Sequence, residues 1–450
     1  MKSREKDLTV GSPGRVIFWF MLPILLSTLL QNFYNLVDTA IIGKFLDKQA
    51  LAGVGATGAL SFMVVGLCIG IATGFSILVA QRFGARDYSA MRRFITNGIW
   101  AGAALSILLA AVVCFFLREI LELMNTPQDI IQYSYDYIFI IFLGVPVTIA
   151  YNFFAGIIRS LGDSKTPFFF LLMASVINIG FDLLAVLKFN WGVRGPAVAT
   201  ILSQLFSVIM CLIVMIRKMD ILTIQKGEWK LQMNYIKSLL AMGLPFGLQY
   251  SITAVGSVVL QHGVNSLGSD AVAAVTAASK VSCFLGCPGE ALGSSMATYT
   301  GQNLGAGKIE RIHKGLWAAT AMGIVYSVCV FVVMIFTADK SALLFLNANE
   351  TQVIANARQF LLINTGLFSL LMFVNTFRFT IQGMGYSAIA LFAGVFEMFA
   401  RAFVGTVLVS YFGFDSVCFA NPAAWLAANV FLIPAFYLLY RRLKNKWITI

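Results

Sequence analysis

Charge is what this chain has least of. Only 12% of its 450 residues are Asp, Glu, Lys or Arg, about half the roughly 25% of an ordinary soluble domain. Its two histidines, His262 and His313, are far apart, so no histidine cluster points to a metal or a general base. No Walker A phosphate loop occurs, which excludes an ATP-driven pump module of that kind. No nucleophile–base pattern is present, and the chain is read as not an enzyme, with no catalytic residue and no cofactor. The seven cysteines lie mostly inside apolar runs and read as small buried hydrophobes, not as a disulfide framework. Cys283 and Cys287 share a helix face but have no further ligand nearby, so no metal site is expected there. The alternating segments of about ten residues that build a membrane barrel are also missing.

What is present is hydrocarbon. Residues are 59% hydrophobic, and apolar runs of about 20 residues recur from end to end, the length that crosses ~30 Å of bilayer core as helix. Backbone groups in lipid must be satisfied within their own segment, so these runs are helices. The expected fold is all-α and integral to the membrane. Its twelve spans lie near 16–43, 50–80, 95–117, 133–157, 167–188, 194–216, 236–263, 271–301, 314–336, 354–381, 386–410 and 417–440. The segment Met1 to Arg15 is basic and polar and shows no cleaved signal peptide. The net charge of +12 is not a nucleic-acid signal. Placing alternate loops on opposite sides puts 22 basic residues on one side and 7 on the other, the positive-inside asymmetry. Lys2, Arg4, Lys6, the 217–237 loop and Arg441 to Lys446 all fall on the basic side. A multi-pass protein of a bacterial inner (plasma) membrane with both termini cytoplasmic is expected, acting as a monomer, with the lipid bilayer and no nucleic acid as partner.

The chain repeats. Gln81-Arg82-Phe83-Gly84-Ala85 matches Gln302-Asn303-Leu304-Gly305-Ala306, 221 residues later. At the same offset Ala50, Ala52, Val54 and Ala56 meet Ala271, Ala273, Val275 and Ala277. Pro23 and Pro245 sit alike in the first span of each half, and Gly195-Pro196-Ala197 resembles Asn421-Pro422-Ala423. The expected organisation is an N-terminal six-helix bundle over 1–216, a connecting loop over 217–235, and a C-terminal six-helix bundle over 236–450. Six spans per half make the repeats parallel, related by a pseudo-two-fold axis along the membrane normal, an arrangement that places a substrate path between the halves.

Seven charges lie deep in the spans: Asp38, Asp182, Lys280, Glu290, Arg378, Glu397 and Arg401. Charges at that depth cost roughly 2.5–3.5 kcal/mol on insertion scales and mark ion or substrate paths. Tyr34 precedes Asp38 by one helical turn, and Asn178 precedes Asp182 by one turn, each on the same face. At ~1.5 Å per residue, Asp182 lies ~22 Å from the inner edge and Thr200 ~9 Å from the outer edge. Tyr137 is near the outer end of the fourth span. Asp38, Tyr137, Asn178, Asp182 and Thr200 thus fall in one layer of one half, where two carboxylates, an amide and hydroxyls can share a proton or bind a hard cation such as Na⁺. Na⁺ would sit at Asp38, Asn178, Asp182 and Thr200. Glu397 and Arg401, at i and i+4, read as an intrahelical ion pair. Glu290 reads either as a functional acid or as a structural partner of Lys280. A substrate cavity is expected to use Gln31, Gln249, Lys280, Glu290 and Met296, with aromatic and methionine side chains suiting flat, apolar cations.

These pieces resemble a known family. Tyr34-Asn35-Leu36-Val37-Asp38-Thr39, Asn178-Ile179-Gly180-Phe181-Asp182, Arg159-Ser160-Leu161-Gly162-Asp163 and the two Gln-x-x-Gly-Ala repeats together look like a multidrug and toxic compound extrusion (MATE) transporter over nearly the whole chain. The resemblance implies a V-shaped pair of six-helix bundles exporting amphipathic, often cationic organic compounds by antiport of H⁺ or Na⁺ through alternating access. It is strongest to the DinF-like branch, whose ion network matches Tyr34, Asp38, Tyr137, Asn178, Asp182 and Thr200, with Asn152 matching a fourth-span asparagine. The depth count puts Asn152 in the inner half, away from the others, unless Pro146 bends that span. A second branch carries a seventh-span glutamate where this chain has Thr253, and a tenth-span aspartate absent from Ser369 to Asn375. The alternative within the same superfamily is a lipid-linked oligosaccharide flippase, which often has two further spans not visible here.

Overall fold

The computed structural model describes residues 6–346 and 348–448. Lys2 and Arg4, counted above for topology, lie outside the described residues, as does the side chain of Lys446. Every regular element among them is helical. In chain order these are α1 (Pro13–Phe45), α2 (Lys48–Ala56), α3 (Gly58–Gly84), α4 (Tyr88–Phe115), α5 (Leu117–Leu123), α6 (Ile131–Leu143), α7 (Val145–Ser160), α8 (Lys165–Leu183), α9 (Arg194–Lys218), α10 (Met233–Asn265), α11 (Ser269–Gly305), α12 (Ile309–Ala342), α13 (Thr351–Gly366), α14 (Phe368–Gly383), α15 (Ser387–Phe403), α16 (Val409–Phe412) and α17 (Phe414–Ile448). Ten helices are long and apolar enough to cross a bilayer alone, and two bent pairs, α6 with α7 and α13 with α14, bring the number to twelve. The first pair bends by 45° where Pro146 cannot donate to the preceding turn. The second bends by 49° beside Gly366. The expected span 50–80 is divided: Thr57 turns its hydroxyl back onto Val54 O at 2.7 Å, and α2 stands apart from α3. The matching stretch of the second half runs unbroken inside α11.

Two compact units result. Unit 1 comprises residues 1–8 and 26–251, and unit 2 comprises 9–25 and 252–450. The division does not fall in the 217–235 loop but inside α10, and the first half of α1 packs with the C-terminal unit. In unit 2, Lys308 Nζ donates to Thr9 O (2.9 Å) and Arg311 Nη1 to Gly11 O (2.8 Å), which ties that segment down. In unit 1, the first half of α10 lies against α3 through glycines. A Cβ on Gly70 would fall 2.5 Å from Gly247 Cα, and one on Gly74 would fall 2.7 Å from Gly243 Cα. Such facing small residues at four-residue spacing let two membrane helices meet backbone to backbone. The connecting loop belongs to unit 1 as well. Glu228 accepts from Arg92 Nε at 2.7 Å and Nη2 at 3.0 Å, and these bonds hold its carboxyl below the ordinary carboxylate range.

The internal duplication is visible in the backbone. Both Gln-x-x-Gly-Ala segments end a long helix in the same way: Arg86 at φ 58° and Gly307 at φ 71° occupy the left-handed position. The next amide in each case reaches back to the last turn, Asp87 N to Arg82 O at 3.1 Å and Lys308 N to Asn303 O at 2.8 Å, a Schellman closure. A five-residue π-helical turn follows α8 at Leu184–Lys188 and follows α15 at Val404–Leu408, 220 residues apart. In unit 1 the core runs through Phe75, Met91, Phe153, Ile157 and Cys211. In unit 2 it runs through Val264, Ala278, Ala338, Leu361 and Val417.

Candidate functional site

Unit 1 gathers most of the expected ion residues in one place. α1 supplies Tyr34 and Asp38, α6 supplies Tyr137, and α8 supplies Asn178 and Asp182, the latter just before the π turn. Asp38 is 8% exposed, Asn178 1% and Asp182 0%. Asp38 and Asp182 are close enough to feel each other's charge, and Tyr137 lies within electrostatic reach of both. Yet Oδ1 of Asp38, both oxygens of Asp182 and both side-chain atoms of Asn178 are buried with no hydrogen-bond partner among the described residues. Ionised carboxylates only accept. Two that lie close together can be joined only by a proton between them, or by a cation, and buried charge left unpaired costs several kcal/mol.

Beside this pair is a small cavity of about 10 Å³ lined by Tyr34, Tyr151, Ser175, Asn178, Ser203, Gln204 and Ser207, with Leu171 and Ala174. That is the space of about one water. Its serine protons are already spent. Ser175 donates to Leu171 O at 2.9 Å, Ser203 to Thr200 O at 2.9 Å and Ser207 to Phe170 O at 3.4 Å. Gln204 Oε1 accepts from Thr148 Oγ1 at 2.9 Å. The serines therefore turn lone pairs toward the cavity, the chemistry that suits a proton carrier or a hard cation.

Three expected residues stand differently. Thr200 is on α9 one turn from Ser203 and does not line the cavity. Asn152 folds its amide onto Thr148 O at 2.9 Å, and its neighbour Tyr151 takes the cavity position. Met296 is 0% exposed in α11 and packs in the core. Of the remaining substrate candidates, Gln31 and Gln249 belong to unit 1, and Lys280 and Glu290 are exposed on α11 in unit 2. Lys280 and Glu290 form no ion pair: ten residues of one helix separate them by ~15 Å along its axis, too far for a salt bridge. Reasoning from sequence missed Tyr151, Ser175, Ser203, Gln204 and Ser207. A signal existed, because Thr200, Ser203, Gln204 and Ser207 form an i, i+3, i+4, i+7 polar stripe on an otherwise apolar helix.

Unit 2 buries charge in another form. Glu397 accepts from Arg378 on α14 and from Arg401 Nη1 at 3.4 Å, and all three are at most 8% exposed along the side chain. Arg401 Nε continues to Asn421 Oδ1 at 3.4 Å, and Asn421 Nδ2 to Asn364 Oδ1 at 3.2 Å. The i, i+4 pair expected from sequence is present. Arg378 joins from another helix, so spacing along α15 could not show it. Glu397→Gln leaves two buried guanidinium groups without their anion and is expected to cost about 3–5 kcal/mol. Thermal unfolding in detergent reads this as a large fall in Tm, and an unchanged Tm would show that the triad is not load-sharing.

The family model described as MatE matches residues 23–184 and again residues 245–407. The chain belongs to the MatE family. Its two matched segments reproduce the internal repeat and together cover most of the chain. The chain is 28% identical over 97% of both sequences to the "Probable multidrug resistance protein YoeA" of Bacillus subtilis (strain 168). It is 24% identical, over 77% of each, to a "FAD transporter" of Shewanella oneidensis. The fold matches the outward-facing structure of a multidrug resistance MATE family transporter of the MOP superfamily with a TM-score of 0.91, at 20% identity over 99% of each chain. This MatE protein is thus a multi-helix membrane transporter and not an enzyme.

Proposed function

We propose that this MatE protein is a secondary active multidrug exporter. It antiports H⁺ or Na⁺ against amphipathic, often cationic organic compounds by alternating access. The observation that carries the reading is the buried Asp38–Asp182 pair, two neighbouring carboxyls that need a proton or a cation between them. Tyr34, Tyr137 and Asn178 complete the group in the manner of the DinF-like branch. Relatives named as multidrug resistance proteins support the direction and class of transport. Exposed Glu290 is assigned to recognition of substrate cations.

The test is transport by purified protein in proteoliposomes under independently imposed proton and sodium gradients, with a fluorescent organic cation as cargo. Counter-gradient-driven movement under one ion alone identifies the coupling ion. Movement under neither would reject antiport. A flavin nucleotide belongs in the same compound panel because one relative carries that name, and transport of it without any cation would reverse the assigned substrate charge. The basic asymmetry supports cytoplasmic termini, in what we take to be a bacterial inner membrane. Reporters at the C-terminus and in the 217–235 loop should both read inside, and an external signal from either rejects this topology.

A further inference from the structure

At the end of unit 1 where α8 begins and α9 finishes lies a second, larger hollow of about 560 Å³, within the ~300–1,000 Å³ range of small-molecule sites. It shares no lining residue with the small cavity beside Asn178. Its floor is apolar, formed by Phe169, Ile213 and Val214 among others, and its rim carries Lys6, Lys165 and Lys218. None of the three ammonium groups has an ion-pair partner among the described residues. The one acid on the rim, Asp163, is already engaged. It accepts from the amides of Lys165 (3.0 Å) and Thr166 (3.1 Å) and from the Thr166 hydroxyl, capping α8.

The rim is built rather than incidental. Lys6 N donates to Leu161 O at 2.9 Å. Gly162, at φ +84°, leaves the room this needs, since a Cβ there would fall 2.0 Å from Lys6 O. Phe169 and Ile213 are 55% and 39% exposed, opening the floor outward on helices that cross the bilayer. The surroundings offer one molecule with both halves of this chemistry, an anionic head and a hydrocarbon tail. A free phosphate would leave the floor uncovered, and an organic cation would be repelled by the lysines.

We propose that this groove holds one anionic phospholipid of the adjacent leaflet. Its phosphate sits among Lys6, Lys165 and Lys218, and an acyl chain lies along Phe169, Ile213 and Val214. Basic pockets at helix ends recognise such head groups. On the proposed topology the leaflet is the cytoplasmic one.

Native mass spectrometry of the full-length, delipidated protein tests this with phosphatidylglycerol, phosphatidylcholine and inorganic phosphate as probes. The expected result is one phosphatidylglycerol retained in clear preference to phosphatidylcholine. Each lysine contributes about fivefold, so Lys165→Gln/Lys218→Gln should weaken binding roughly 25-fold, and Lys165→Arg/Lys218→Arg should restore it. Phe169→Glu places a charge on the floor and should abolish retention even if the double variant is poorly folded. Equal retention of both lipids, an unchanged double variant, or displacement of the lipid by millimolar inorganic phosphate would each overturn the proposal, the last by showing a free-anion site.

Discussion

Asp38→Asn is expected to reduce ion-driven export to the level of empty liposomes while the protein stays folded in the membrane. The substitution keeps the shape of the side chain and removes the charge that a proton or Na⁺ must compensate. It also supplies an amide donor to Asp182, neither of whose oxygens has a hydrogen-bond partner among the described residues. The variant mimics the pair with one proton bound, with no repulsion between two carboxylates, so its thermal stability should equal or exceed that of the native chain. Asp182→Asn acts through the same contact and should abolish coupling in the same assay. Glu290→Gln should retain coupling and change which compounds are carried, because Glu290 belongs to unit 2 while Asp38 and Asp182 belong to unit 1. Ion-driven efflux for the three variants at matched expression decides the matter. Coupling that survives both aspartate changes and fails in Glu290→Gln would move the ion site to unit 2.

Gly70→Leu is expected to prevent recovery of folded protein. The Gly70 and Gly247 backbones approach so closely that even a methyl group on Gly70 would lie 2.5 Å from Gly247 Cα. Neither contact atom is a flexible side chain that can turn aside. Overpacking usually costs ~1–3 kcal/mol where side chains can shift. Here whole helices must separate along Gly66, Gly70 and Gly74, and the loss is a large part of a total stability of ~5–15 kcal/mol. Gly70→Ala should give an intermediate yield with a lowered Tm. A Cβ at Gly55 meets open space, and Gly55→Leu serves as the control. Size-exclusion profiles of fluorescent fusions read the effect directly. A monodisperse, transport-competent Gly70→Leu protein would show that the close approach of α3 and α10 does not hold unit 1 together.

Much of this molecule was legible without coordinates. The spans follow from the length of apolar runs, and the duplication follows from matching residues at a fixed offset. Asp38, Asn178 and Asp182 stood out because charge and amide groups at membrane depth are costly and rare. Pro146 announced the bend between α6 and α7, since a missing N–H is a local property. The bend beside Gly366 had no such mark, and neither did the two π turns.

Sequence by itself determined the membrane class, the repeated twelve-span plan and which acids lie at membrane depth, because hydropathy, charge and backbone chemistry act residue by residue. Tertiary structure alone decided which side chains meet. It put Tyr151 rather than Asn152 at the cavity, buried Met296, brought Arg378 to Glu397 from another helix, and divided α1 and α10 between the two units. Each of these depends on how far a helix is rotated and how closely its neighbour approaches. Those quantities are set by facing glycines and packed side chains far apart in the chain, and no local pattern encodes them.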